Sequence, residues 1–226
     1  MKRVVTPELL DDDLGTLEEI RDSLLDLRWF NEKFGGFQSM AEMLRTIAKQ
    51  TRKDSLTFLD VAGGRGDVAD SVICELLVDC IKISATVLDR AVSHLSWCGM
   101  GFSRVAADAL ALPFADGSFD VVGCNLFLHH LEPKDVLSFF SEALRVARVA
   151  VIASDLRRNL FHWLLASAGR FTYRSRITRN DAPASVRRAY TMTEMTALAD
   201  QTPAASYEME RFFFQRFGLI LWKAQL

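Results

Sequence analysis

The segment Phe58-Leu-Asp-Val-Ala-Gly-Gly-Arg-Gly-Asp-Val-Ala69 concentrates residue types that can handle a ligand. An apolar run ends on Asp60 and Val61, a glycine-rich turn follows, and a helical pattern starts near Asp67. Glycine lets a backbone turn sharply and lets a ligand come close to the main chain. Gly64-x-Gly66-x-x-Ala69 also satisfies the dinucleotide fingerprint, with Asp89 ending the next apolar run as the acid for a ribose. Asp60 separates two ligand chemistries. A carboxylate four residues before Gly64 suits a cationic ligand at the turn and repels a pyrophosphate. A ligand-free strand-to-helix turn would account for the glycines but not for the second acid.

The run from Asp108-Ala-Leu-Ala-Leu-Pro-Phe through Asp120-Val-Val-Gly-Cys-Asn-Leu-Phe-Leu-His-His-Leu131 adds to this. Together these residues resemble the class I S-adenosylmethionine-dependent methyltransferases. Within them the chain is similar to the small-molecule branch that includes ubiquinone/menaquinone-type and natural-product O-methyltransferases. The likeness covers residues 56–155 in motif detail and the remainder in layout. It implies that Asp60, Ala62, Gly64 and Gly66 line the methionine portion of S-adenosylmethionine. It further implies that Asp89 accepts hydrogen bonds from the ribose hydroxyls, with Arg90 flanking the adenine. Asp108 and Ala109 would hold the adenine edge, and Asn125 would stand beside the sulfonium. The chain departs from the family where Ala62 replaces the usual glycine.

Methyl transfer from a sulfonium is an in-line displacement at an already activated carbon. The protein mainly supplies orientation and, for a hydroxyl nucleophile, a base. His129 and His130 follow the fourth strand at the sheet's carboxyl edge, and an imidazole titrates near neutrality. Asp155, ending the fifth strand, would orient one of them. The expected reaction is methyl transfer to a hydroxyl of a small aromatic or polyketide-like metabolite. C-methylation of a quinol ring uses the same cofactor site, and an NAD-dependent oxidoreductase is the alternative from another class. Asn125-Leu-Phe-Leu is not the Asn/Asp-Pro-Pro-Tyr/Phe motif tied to methylation of planar amino groups. No His, Asp or Glu spacing suggests a metal site.

Strand candidates Leu56–Val61, Ile83–Leu88, Ser103–Ala106, Asp120–Cys124 and Ala147–Ala153 must position these groups. Helices at Asp67–Cys80, Ala91–Trp97 and Pro133–Val146 alternate with them. Such alternation builds a parallel sheet covered on both faces, with ligands at the carboxyl ends of its strands. Two β-rich runs, Tyr207–Phe213 and Phe217–Lys223, close the chain as an antiparallel hairpin. The expected fold is α/β, a Rossmann-like seven-stranded mixed sheet in one domain spanning residues 1–226. Residues 1–50 form an N-terminal helical cap, because leucines from Leu9 to Leu27 recur at helical steps. Thr191 and Glu194 form a capping box for a late helix.

Residues 156–190 break the alternation and hold eight arginines against a single acid, Asp181. They are expected to form a basic, aromatic lid that meets an anionic or lipid-like acceptor through His162, Trp163, Arg187, Arg188 and Tyr190. The aromatic and cationic make-up of this stretch also fits peripheral contact with a membrane surface.

Composition sets the remaining bounds. With 27 basic and 29 acidic residues the net charge is −2, so global charge gives no reason to expect nucleic acid as a partner. No apolar run approaches the roughly 20 residues needed to cross a bilayer. The four cysteines form no CxxC pair and are read as reduced core residues of a cytoplasmic protein.

Overall fold

The computed structural model describes residues 1–12, 14–99 and 101–224. Seven strands run through it: β1 (Ser55–Val61), β2 (Lys82–Asp89), β3 (Ser103–Ala106), β4 (Phe119–Asn125), β5 (Ala147–Leu156), β6 (Ser206–Phe212) and β7 (Arg216–Trp222). They form one sheet in the order β3-β2-β1-β4-β5-β7-β6. The first five are mutually parallel, while β7 pairs antiparallel with both β5 and β6. The strand order reverses between β1 and β4, which opens a crevice at their carboxyl ends.

Side-chain alternation along the strands feeds two cores. Leu59, Val61, Val122, Val151 and Leu219 pack on one face against α5 (Pro133–Val146) and α8 (Met192–Ala199). Phe58, Val87, Val121, Ile152 and Ile220 pack on the other face against α2 (Gly36–Thr51) and α3 (Asp67–Val78). Helices on both faces, and the mixed sheet, are as the sequence indicates. The helix expected over Ala91–Trp97 contracts to one turn, α4 (Val92–Leu95).

The N-terminal cap differs from expectation in where its helix begins. The leucine pattern starts at Leu9, yet α1 runs only over Leu17–Lys33. Thr16 and Glu19 form a capping box that satisfies the exposed first-turn amides and fixes the start. Ahead of it, Leu10–Asp12 form a single 3-10 turn and Leu14 is exposed. The cysteines also divide, because Cys98 and Cys124 are buried while Cys74 and Cys80 are exposed. The uniform core assignment fails for Cys74 and Cys80, which lie on or just beyond the solvent side of α3.

Residues 156–190 fold into α6 (Leu160–Gly169) and α7 (Arg176–Arg188). The cap and this segment form one cover. Ile20 and Leu24 of α1 pack on Ile177 of α7. Asp26 accepts the amides of Arg174 and Ser175 just ahead of α7, and Asp181 accepts the amides of Leu9 and Leu10.

Candidate active site

A cavity of about 630 Å³ lies between this cover and the carboxyl edge of the sheet. Its floor on the β1 side is the glycine-rich turn. Ala62 at φ 55° and Gly64 at φ 52° both adopt the left-handed region, which swings the chain away from β1. A side chain on Gly63 would lie 2.7 Å from Asp60 Oδ2, so the turn folds tightly over that carboxylate. Gly66, at φ 75°, precedes α3, and a side chain there would strike Phe102.

Asp60, the penultimate residue of β1, is only 1% exposed, and neither carboxylate oxygen has a hydrogen-bond partner. The Ala69 amide faces it without reaching hydrogen-bond geometry. Burial, reinforced by the nearby Asp89 carboxylate, pushes the Asp60 pKa up to about 8. A buried acid without donors is costly to ionise unless a cation comes to it. Asp89, at the end of β2, accepts the Gly64 amide on one oxygen and the Ala91 amide on the other. Each oxygen keeps a lone pair for a further donor. An orphaned buried carboxyl beside a close-approach glycine turn, with the Asp89 carboxylate next to it, fits a cationic sulfonium nucleoside, which would favour its ionised form.

The structure brings Asp60, Ala62, Gly64, Asp89, Arg90, Asp108, Ala109 and Asn125 to this one cavity. Gly66 stands behind it as the N-cap of α3. Arg90 donates to the Asp11 carbonyl at 2.7 Å and so ties the β2 end to the N-terminal segment. Asp108 accepts the Leu110 amide and holds the loop after β3.

On the β4–β5 side the wall is polar and buried. His129 Nδ1 lies 2.7 Å from Asp155 Oδ1, and the His129 amide donates to Asp155 Oδ2. Burial would raise the Asp155 pKa. The His129 interaction and the amides of Leu156 and His129 outweigh it and hold the carboxyl below its ordinary range. An Nδ1–H given to a carboxylate leaves the Nε2 lone pair free to accept a proton. His129 is 3% exposed and lines the cavity, with Nε2 directed toward Glu8 Oε1 at 3.8 Å. His130 is turned to Asp11 instead, its Nδ1 2.9 Å from Asp11 Oδ1. Burial opposes ionisation of Asp11, but His130 and Arg188 lower its pKa to about 2.

Glu8 was not legible as a site residue, yet it lines the cavity at 5% exposure. Its Oε2 accepts from Ser185 Oγ at 2.8 Å, while Oε1 has no hydrogen-bond partner. Burial pushes its pKa up to about 7. Glu8, His129 and His130 bring ligand-capable atoms within 4.8 Å of one another, a grouping that no spacing in the chain announces. The Arg188 guanidinium, with Nη1 3.7 Å from Glu8 Oε1 and 3.1 Å from Asp11 Oδ2, already supplies a cation there.

Of the residues expected to meet an acceptor, His162 and Arg188 line the cavity. Trp163, Arg187 and Tyr190 are not part of its wall. Tyr190 is 3% exposed and donates to the Leu131 carbonyl while Arg3 stacks on its ring, so it anchors the cover from outside. Arg188 donates to the His130 carbonyl at 2.6 Å, which fastens α7 to the turn carrying both histidines.

Residues 58–149 match the family model described as a methyltransferase domain. No curated protein matches the chain by sequence. Among solved structures it is similar to the plantazolicin methyltransferase BpumL in complex with a pentazolic desmethylPZN analog and S-adenosylhomocysteine. The TM-score is 0.70 at 11% identity, over 96% of this chain and 94% of that one. It is also similar to magnesium protoporphyrin IX methyltransferase from Synechocystis PCC 6803 with bound S-adenosylhomocysteine, at TM-score 0.55 and 15% identity over 84% of each chain. A SAM dependent methyltransferase from Aquifex aeolicus aligns at TM-score 0.54 and 15% identity, over 75% of this chain and 82% of that one. At these identities the likeness to solved structures is one of fold.

Proposed function

We propose that the chain, whose residues 58–149 form a class I S-adenosylmethionine-dependent methyltransferase domain, methylates a hydroxyl of a small aromatic or polyketide-like metabolite. S-adenosylmethionine is its cofactor, and when bound it supplies an electrophilic methyl group. The residues that would hold it are Asp60, Asp89, Asp108 and Asn125 together with the backbone of Ala62–Gly64.

The observation that carries the hydroxyl assignment is the His129–Asp155 pair at 2.7 Å, buried in the cavity wall. A hydroxyl must lose its proton as its oxygen is methylated, and His129 Nε2 is available to take it. Asp155 fixes the ring through Nδ1 and stabilises the imidazolium that forms. Aromatic side chains Trp29, Phe30, Phe34, Phe127, Tyr173 and Phe214 line the same cavity and suit a planar, apolar acceptor. Outside, Leu160, Phe161 and Leu164 leave an exposed apolar patch on α6, next to the arginine-rich stretch. That supports an amphiphilic acceptor, delivered from a lipid-like phase.

The test is transfer of labelled methyl to a panel of phenols, quinols and alkylresorcinols, with mapping of the product. Methyl on oxygen supports the proposal. Methyl on a ring carbon replaces it with quinol C-methylation, and absence of transfer to every member of the panel refutes this acceptor class.

A further inference from the structure

Arg216, the first residue of β7, is 2% exposed and is among the largest side chains buried in the protein. It lines the cavity beside His162 and Phe214. Its hydrogen-bond partners are neutral: Nη1 donates to Asn125 Oδ1 at 3.2 Å and Nη2 to Asn31 Oδ1 at 2.9 Å. Asn125 Nδ2 also donates to Asn31 Oδ1, so the two amides and the guanidinium form one connected group. Among the described residues no carboxylate forms an ion pair with Arg216. Asp155 acts on it from a distance but is already engaged by His129 and two backbone amides. Burial lowers the Arg216 pKa to about 10, a sign of how little compensates its charge.

A desolvated cation without a counter-ion is expensive to keep, because burial removes its hydration and no opposite charge replaces it. A guanidinium presents donors in a planar fork that matches a carboxylate. We propose that Arg216, flanked by Asn31 and Asn125, is a carboxylate-binding subsite in the cavity wall. The carboxylate has two possible sources in this cleft, the amino-acid end of the cofactor or a carboxyl group on the acceptor. The inference rests on the cavity being the cofactor and acceptor cleft, and its test separates the two ideas.

The measurement compares wild type, Arg216→Met and Arg216→Lys in binding three probes: S-adenosylhomocysteine, 5′-methylthioadenosine and benzoate. Methylthioadenosine keeps the nucleoside and lacks the amino-acid carboxylate. If the cofactor is the source, Arg216→Met weakens S-adenosylhomocysteine about 10–100-fold and leaves methylthioadenosine within twofold. Arg216→Lys, which keeps charge and loses the fork, then falls between. If the acceptor is the source, both nucleosides bind all variants equally. Benzoate then stabilises cofactor-loaded wild type against heat and fails to stabilise Arg216→Met. Equal binding of all three probes by wild type and both variants overturns the proposal.

Stability of the ligand-free proteins is the control. Removing an uncompensated buried cation should leave Arg216→Met at least as stable as wild type. A loss of fold in that variant would instead make Arg216 a structural group and overturn the proposal, unless a folded Arg216→Lys shows the selective loss of a carboxylate probe. Wild type that binds benzoate but neither nucleoside would refute the methyltransferase assignment while leaving the subsite standing.

Discussion

On the β1–β2 side of the cleft, Asp60, Gly64 and Asp89 come from one strand–turn–helix–strand unit, and backbone amides at 64 and 91 hold Asp89 in place. The β4–β7 side is assembled from distant parts of the chain: Glu8, Asn31, His129, Arg188 and Arg216. The two sides also leave groups of opposite charge type without a partner. Asp60 is a buried carboxyl without hydrogen-bond donors, whose ionised form awaits a cation, whereas Arg216 is a buried cation whose partners are neutral amides. A rigid local unit is suited to holding an invariant nucleoside. A wall gathered from the cap, the cover and the last hairpin can be reshaped for an acceptor without disturbing that unit. The two halves should therefore fail separately under mutation.

The largest expected effect lies on the β4–β7 side. His129→Ala should lower turnover on the true acceptor about 10²–10⁴-fold while S-adenosylhomocysteine affinity stays within about twofold. Asp155→Asn should cost less, because it orients the ring without touching the acceptor. His130 is turned to Asp11, so His130→Ala should be milder still. Single-turnover rates with calorimetry on the same samples check all three. Near-wild-type turnover in both histidine variants would leave proximity as the driving force and favour a carbon nucleophile or an acidic phenol.

The reciprocal break is on the β1–β2 side. Asp89→Ala should weaken S-adenosylhomocysteine by about 1.5–3 kcal/mol by removing charge-assisted acceptors for the ribose. Asp60 adds a pH signature. Its acid form persists up to about 8 in the ligand-free protein. A cationic ligand favours the ionised form, so binding near pH 7 should release a proton and tighten as pH rises toward 8. Calorimetry in two buffers of different ionisation enthalpy reads that proton, and Asp60→Asn should abolish it.

Glu8 ties the N-terminal segment to the acceptor side and gives that tie a pH dependence. Its pKa is raised from 4.5 to about 7, so between those values the folded state binds a proton that the unfolded chain has lost. Stability from this group is therefore fully present below pH 4.5 and declines as pH rises through about 7. Glu8→Gln should remove the decline, gaining up to about 3 kcal/mol over wild type at pH 8 and little at pH 4.5. Urea unfolding at the two pH values gives the difference directly. An equal gain at both would assign the effect to packing.

The same contrast explains what could be read before folding. The seven-stranded sheet, the terminal hairpin and the turn from Asp60 to Gly66 follow from short-range patterns: alternation, glycine spacing and an acid at each strand end. The start of α1 was legible too, in Thr16-x-x-Glu19, but the longer leucine periodicity beginning at Leu9 overrode it. Glu8 and Asn31 carried no signal, because a lone polar residue in a helical cap usually faces water. Arg216 did carry one. A single arginine opening the apolar run Phe217-Gly-Leu-Ile-Leu-Trp222 is out of place in a buried strand. Only the pairing of β7 with β5 shows that its charge comes to the cleft.

The smallest effect expected concerns Ala62, where the resemblance to the methyltransferases implies a glycine. Ala62 adopts φ 55°, a region that costs a side-chain-bearing residue about 1–2 kcal/mol. Ala62→Gly relieves that strain but loosens the unfolded chain, so a net gain of about 0.5–1 kcal/mol is expected. Gly64→Ala is the mirror experiment. Gly64 lies at φ 52°, and a methyl there would meet only Asp89 Oδ2, at 4.0 Å, so steric exclusion plays almost no part. It should lose about 0.5–1 kcal/mol, the backbone strain less the gain from a stiffer unfolded chain. Thermal unfolding of the two variants, with and without S-adenosylhomocysteine, sharpens the division of the cleft. If the turn is a rigid local unit, the gain in Ala62→Gly appears equally in the ligand-free and bound proteins and leaves affinity unaltered. Gly64→Ala, by contrast, also weakens S-adenosylhomocysteine, because its methyl enters the cavity beside the main chain. An affinity gain in Ala62→Gly larger than about twofold would mean that the alanine methyl holds the turn away from its ligand, and that the β1 side too is adjusted to what it binds.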